Sequence, residues 1–349
     1  MTDLRATVIG LGARELTASP EGVRGTIHSI FRRVVNVRLE SGRFLSFARP
    51  DVPPAPGTII VDLAPPAGWA GLGLVPGGMV AGHSLEIQLS GGVGIALSGV
   101  TPYVPRIRQP LAACQETIPV RLERAAQRGA AYFHLAAERS PANFGGGFGP
   151  LLPHVLNLVQ RDGRTERQPA RLSAEESELT DPFCRAGYAA LRGLVSAART
   201  GDEGALTAQA RNLLGLGPGL TPSGDDALAG LMVALALTGK ALGFEERVLA
   251  LLNPAMVRGL SGTTTELSAD FLRYAALGWG NAVAEDVVEL LLAGDQKSPP
   301  ETDGRLDEAV ERLCAIGASS GVDQLCGLLV GVGLGLMLAE ERTSVWERQ

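Results

Sequence analysis

The densest concentration of chemistry in the chain is the run Gly215-Leu216-Gly217-Pro218-Gly219-Leu220-Thr221-Pro222-Ser223-Gly224-Asp225-Asp226. Ala/Leu-rich helical patterns flank it on both sides, so it predicts a helix–loop–helix junction. Glycine lets the main chain turn through positive φ and lets a ligand approach the backbone closely. Pro222 presets φ for entry into the following helix. The N–H groups of Gly217, Gly219 and Gly224, with the hydroxyls of Thr221 and Ser223, would then ring a helix N-terminus. Such a ring attracts phosphate or carboxylate. Asp225 and Asp226 are the candidate catalytic residues: one could orient a substrate amide or hold a hydrated divalent cation. The competing reading is plain capping. Ser223-x-x-Asp226 approximates a capping box, and first-turn carboxylates are favoured by the helix dipole. A cap alone does not require the preceding Gly-x-Gly-Pro-Gly.

Two later segments resemble helix starts of the same kind. Thr263-Thr264-Thr265-Glu266 spells the T-x-x-E capping box, and Ser319-Ser320-Gly321-Val322-Asp323 carries an S-x-x-D version. Each alone reads as a cap. If the three helix starts converge, Thr264, Thr265, Ser319 and Ser320 join the first loop in a polar pocket walled by apolar helices, a common composition for a ligand site. The four histidines have no metal-ligand spacing. His28, in a strand pattern, is a further candidate for lining a pocket, against a structural role. Asn143–Pro150 is a glycine loop that could serve as a lid hinge or as a simple connector.

The elements that must position these residues fall into two kinds, predicting an α+β protein. Residues 1–108 are β-rich: Ala6–Gly10, a long β-branched stretch from Thr26 to Leu39 that includes Arg32 and Arg33, a turn at Glu40–Arg43, and strands at Phe44–Phe47 and Thr58–Leu63. Short strands with Gly/Pro punctuation indicate a barrel or a sandwich. Residues 109–182 hold a helix over Thr117–Ala137, the glycine loop and a charged connector. Residues 183–349 form the helical domain that carries the loop motif. Its helices are predicted near 183–199, 203–214, 225–238, 245–259, 264–277, 281–293, 304–316 and 321–340. No fixed sequence period links them. Leu325–Ala339 is 15 residues with four glycines, too short for a membrane span of about 20. It predicts a core helix whose small residues permit close packing.

Composition narrows the chemistry. Of 31 basic residues among 349, only Lys240 and Lys297 are lysine. Lys240 lies in no Walker P-loop, and no G-x-G-x-x-G is present for a dinucleotide. Any anion site must therefore use arginine, backbone N–H groups or helix ends. The net charge of −6 divides unevenly: 21 basic against 16 acidic residues up to position 200, and 10 against 21 after it. No basic run is dense enough for nucleic acid. The four cysteines form no C-x-x-C and predict buried thiols. The first residues carry no apolar signal core, and the expectation is a cytoplasmic protein without a membrane partner.

The 215–226 run resembles the signature of the AllH family, formerly of unknown function, which includes the AllH subunit of oxamate carbamoyltransferase. The segments at Thr263–Ser268 and Ser319–Asp323 are similar to its later blocks, and His28-Ser29-Ile30-Phe31 with Asn36 is compatible with its start. The resemblance implies a bacterial protein of purine or ureide breakdown (allantoin degradation), acting with other subunits. It implies interconversion of oxalurate plus phosphate with oxamate plus carbamoyl phosphate, or a reaction on a related ureide. The Ser-x-Arg-Thr-Arg phosphate loop of ordinary carbamoyltransferases is absent. Two other functions stay open on the residues: a scaffold subunit that docks a partner through the glycine loop, and a small-molecule phosphotransferase.

Overall fold

The computed structural model describes residues 2–63, 68–139, 147–159, 179–293 and 304–346, with side chains described as far as residue 341. The charged connector Arg161–Glu178 and the first part of the Asn143–Pro150 loop lie outside these residues. The chain divides into two compact units, Met1–Arg108 and Gln109–Gln349.

The first unit is a closed mixed β-barrel. Its strands are β1 (Thr2–Gly10), β2 (Val23–Ile30), β3 (Val34–Leu39), β4 (Phe44–Ala48), β5 (Thr58–Val61), β6 (Met79–His83), β7 (Glu86–Leu89), β8 (Val93–Ala96) and β9 (Thr101–Tyr103). They hydrogen-bond in the order β5-β4-β3-β2-β6-β7-β8-β1, and β1 pairs back to β5 to close the ring. β1 serves two neighbours on one edge: Thr2–Arg5 pair with β8, and Val8–Gly10 pair with β9. Closure removes the exposed edges that an open sheet would leave. Alternate residues such as Val35 and Val37, Leu45 and Phe47, Ile59 and Val61 fill the interior with Trp69, as the two-residue strand period requires. Register shifts interrupt β1 between Ala6 and Val8 and β2 between Ile27 and Ser29. Such bulges add the local bend that a small barrel needs.

One expectation is corrected here. Thr26–Leu39 is not a single strand. β2 ends at Ile30, and Phe31-Arg32-Arg33 form the bend into antiparallel β3, with the Phe31 N–H donating to Val34 O. The two arginines are exposed at the turn, which spares them the cost of burial that a mid-strand position would impose on one of them. The short helix α1 (Leu11–Thr17) follows β1 directly and has no periodic signal long enough to predict it.

The second unit is helical: α2 (Ile118–Arg139), α3 (Pro182–Thr200), α4 (Glu203–Leu213), α5 (Ser223–Ala241), α6 (Glu266–Ala276), α7 (Ala282–Ala293), α8 (Gly304–Cys314) and α9 (Ser320–Trp346). Between α5 and α6 the chain runs through an α-turn, a π-turn at Val248–Leu252 and Asn253–Met256. Pro254 supplies no N–H to an α-ladder there. Asp181 and Asp202 cap α3 and α4 through the N–H groups of Phe183 and Ala205. Arg124 grips Asp307 with two 2.7 Å hydrogen bonds, and Arg128 pairs with Glu311 one turn on, tying α2 to α8.

α5 and α9 form the centre of this unit. α5 is apolar all round and buried over most of its length, the mark of a central helix. The stretch Ser320–Glu341 is long and apolar enough to cross a membrane, but 83% of its apolar window is buried within the protein. The pair packs backbone against backbone. A Cβ added at Gly327 would meet Ala227 O at 1.8 Å, one at Gly230 would meet Gln324 O at 2.3 Å, and one at Gly331 would meet Leu231 O at 2.5 Å. The contact positions advance together along both helices, so the helices run parallel and begin at the same end.

Overpacking of this kind typically costs about 1–3 kcal/mol. Gly327→Ala should therefore lower the urea unfolding free energy by at least about that amount. Gly304→Ala, where an added Cβ meets nothing within 4 Å, should leave it nearly unchanged. Equal effects in the two variants would refute the close-packed seam.

Candidate functional site

The parallel seam brings the helix starts at Ser223 and Ser320 together, and the N-terminus of α6 joins them. Thr221 Oγ1 lies 3.1 Å from Ser320 Oγ. Thr265 Oγ1 donates to Leu220 O at 2.6 Å while accepting from its own cap partner, Ser268 N, at 3.1 Å. The three starts predicted from sequence thus converge. Thr265 is the N-cap of α6, whereas the capping-box spelling points to Thr263. Thr263 instead turns its hydroxyl to Leu260 O, because α6 begins two residues later than the spelling implies. Ser223 is likewise not a cap: Pro222 holds the cap position, and no side-chain hydrogen bond caps α5.

Asp225 fastens the junction. It is 1% exposed. Its Oδ1 accepts from Gly215 N at 2.9 Å, and its Oδ2 accepts from Ser268 Oγ at 2.7 Å and from Thr264 Oγ1. Burial raises its pKa, and those three donors offset only part of the rise. With both oxygens engaged, Asp225 links the loop to α6. That geometry suits positioning better than direct chemistry.

Asp226 and Asp323 differ from it. Asp323 is fully buried, and its Oδ1 accepts from Phe148 N at 2.5 Å. Asp226 is half-buried as a residue, but its Oδ2 is sealed from solvent. Neither Asp226 Oδ2 nor Asp323 Oδ2 receives a hydrogen bond. Desolvation drives both pKa values up. Asp226 is raised well above the carboxylate range by burial, then by the charge of Asp323, with the hydroxyls of Ser320 and Thr221 opposing. Asp323 is raised to about 6 by burial, opposed by Phe148 N and the hydroxyls of Ser223 and Ser319. No basic side chain is among the groups that set these values.

In the loop itself the glycine turns expected from the sequence are present. Gly215, Gly217 and Gly219 have φ of 73°, 117° and 101°, conformations that favour glycine. Gly215 and Gly219 are exposed and Gly217 partly so. Among the described residues nothing accepts the N–H of Gly217, Gly219, Leu220, Thr221 or Ser223. Gly224 is the exception: its N–H donates to Leu216 O at 2.8 Å, and an added Cβ would meet Leu213 O at 2.0 Å. Its role is close packing. His28 lies on β2 in the barrel unit, edge-on to Phe44 with Nδ1 3.3 Å from Ser29 Oγ. The helix-start cluster is built from residues of the second unit.

Sequence reasoning passed over one signal. Ser223-Gly-Asp-Asp-Ala-Leu-Ala-Gly-Leu231 and Ser320-Gly-Val-Asp-Gln-Leu-Cys-Gly-Leu328 match at Ser, Gly, Asp, Leu, Gly and Leu. The structure treats them as equivalents. Gly321 N donates to Ile316 O as Gly224 N does to Leu216 O. Gly230 abuts Gln324 while Gly327 abuts Ala227. Asp226 and Asp323 occupy matching places in a local pseudo-two-fold. Gly317-Ala-Ser319-Ser320-Gly321 also spells G-x-S-x-G, but it follows a helix rather than the strand that a nucleophile elbow requires. Among the described residues no group of three or more His, Cys, Asp or Glu could hold a metal ion.

Two outcomes test this geometry. Asp225→Ala leaves three donors without their acceptor and should destabilise the protein by at least about 2 kcal/mol, since an unsatisfied buried donor costs about 1–3 kcal/mol. A loss under 1 kcal/mol in urea melts would rule out the fastening role. For Asp323 the folded pKa of about 6 exceeds the ordinary 3.8. The folded state therefore binds this proton more tightly, and the stability it contributes is complete below the unfolded pKa. That contribution is lost as pH rises from 3.8 through about 6. Asp323→Asn should gain on wild type across that window, by up to about 3 kcal/mol. A stability difference that does not vary with pH would contradict this.

Comparison with known proteins agrees with the architecture. A family model described as AllH family N-terminal domain matches residues 6–102. A second, described as oxamate carbamoyltransferase subunit AllH, matches residues 213–332. The first covers most of the barrel, and the second spans the loop, α5 to α8 and the first half of α9. No solved structure matches the chain. The chain belongs to the AllH family and is a subunit of oxamate carbamoyltransferase.

Proposed function

We propose that the converging helix starts form the anion-binding part of the carbamoyl-transfer site. The uncommitted N–H groups of Gly217, Gly219, Leu220 and Thr221 carry this reading. They stand on a partly exposed loop beside the Thr221 and Ser320 hydroxyls, where the dipoles of two parallel helices add. Backbone N–H groups at a helix N-terminus bind phosphate or carboxylate without a lysine, and this chain has almost none.

The reaction on this reading interconverts oxalurate and phosphate with oxamate and carbamoyl phosphate. A phosphate oxygen attacks the carbamoyl carbon, and the tetrahedral intermediate places negative charge on the former carbonyl oxygen. Preorganised N–H donors and helix ends stabilise that charge because they need no reorientation as it develops. Other subunits complete the enzyme, and the setting is ureide breakdown in the cytoplasm.

Isothermal calorimetry of carbamoyl phosphate and of oxamate against the full chain tests the site. Gly219→Ala forces an L residue to a φ of 101° with open space around it. It should weaken carbamoyl phosphate binding by about tenfold or more, corresponding to about 1.4 kcal/mol, with the melting temperature lowered by about 2–4 °C per kcal/mol of backbone strain. Unchanged affinity in the variant would exclude the loop. No binding to wild type, together with a stable complex on co-expression with the other subunits, would favour a docking role instead.

A further inference from the structure

We propose that Asp226 and Asp323 share one proton and relay it during carbamoyl transfer, Asp226 meeting the substrate and fully buried Asp323 acting through it as a positioning residue. This rests on the reading just given, that carbamoyl transfer takes place at the helix starts. The observation behind it is independent of the loop. Two carboxyls stand at pseudo-equivalent positions of two parallel helices held together by a glycine seam, each with a buried oxygen that receives no hydrogen bond. Asp323 is fully buried and held in place through its other oxygen by Phe148 N.

Two buried carboxylates interacting as like charges do not both ionise. Their titratable neighbours offer no relief. Asp225, beside Asp226 on α5, adds negative charge. Cys184 on α3 and Cys326 on α9 lie near Asp323 as neutral thiols, burial pushing Cys184 up to about 12 and Cys326 well above its ordinary value. No basic side chain is among the groups acting on either carboxyl. One proton on the pair leaves one carboxyl as donor and the other as acceptor, with a single net charge that a phosphate can approach.

The reaction needs this combination. The C–O bond forms between a phosphate oxygen and the carbamoyl carbon, and the C–N bond to the oxamate nitrogen breaks. The phosphate hydroxyl loses its proton, and the departing nitrogen must gain one to leave as a neutral amide. Asp226, the half-buried member, donates the second proton and takes up the first, while buried Asp323 carries the pair's negative charge. The pair ends the turnover with one proton, as it began.

Infrared difference spectroscopy of the full chain at neutral pH, comparing wild type with Asp226→Asn and Asp323→Asn, reads the proton directly. One protonated carboxyl is expected in wild type, and as pH is raised it should ionise earlier in Asp323→Asn, where Asp226 stays buried but loses its like-charged partner. No protonated carboxyl in wild type, or an unchanged midpoint in Asp323→Asn, would overturn the shared proton. In the assembled enzyme each Asn variant should lower kcat by about 100-fold or more, with KM for phosphate within about threefold. The kcat–pH profile should lose one limb. A kcat within about tenfold of wild type in either variant would overturn the relay. If wild type binds neither carbamoyl phosphate nor oxamate, the site assignment fails and takes the relay with it. Binding with undiminished kcat in the variants sinks the relay alone.

Discussion

The close approach of two parallel helix backbones is the constraint on which the rest of the second unit depends. Glycines at 230, 327 and 331 let α5 and α9 touch where any side chain would hold them apart. Parallel packing is electrostatically unfavourable, because two positive helix ends and two negative ends lie side by side. It places both N-termini in one spot, and acidic residues there offset part of that cost. Asp225, Asp226 and Asp323 all lie in the first turns of these helices. The same feature gives an anion site its field and supplies the carboxyls that must be prevented from opposing it.

The three aspartates divide the work according to their hydrogen bonds. Asp225 has three donors and is locked. Asp226 and Asp323 each keep a buried oxygen without one. Donors to a carboxylate favour its charged form, whereas a buried oxygen that lacks one leaves desolvation free to favour the proton. The asymmetry follows from one residue in the repeated nonamer: Val322 stands where Asp225 would be on α9. A fastening to α6 is therefore made once, on the side where the long glycine loop needs an anchor.

Much of this was legible in the chain. Most helix limits in the second unit fell within a few residues of prediction because apolar periodicity and caps agreed, but the helix expected over 245–259 is broken by the π-turn at Val248–Leu252; the glycine content of Leu325–Ala339 correctly signalled a close-packed core helix. The loop stood out because backbone chemistry needs glycine at particular positions. What local spelling could not convey was partnership. Thr263 and Thr265 are equally good caps until the start of α6 is known, and Gly224 looks like a ligand-facing N–H until Leu216 O is placed opposite it. Thr26–Leu39 hid its bend because Phe31-Arg32-Arg33 contains no glycine or proline. The pairing of Asp226 with Asp323 spans 97 positions, and only the repeated Ser-Gly-x-Asp hinted at it.

The central claim is that these two carboxyls act as one unit. A double-mutant cycle of unfolding free energies over Asp226→Asn, Asp323→Asn and the double variant, measured near pH 4 and near pH 8, tests it most directly. The account predicts a coupling above about 1 kcal/mol at the higher pH that vanishes at the lower, where both groups are protonated. Additivity within about 0.5 kcal/mol at both pH values would contradict it.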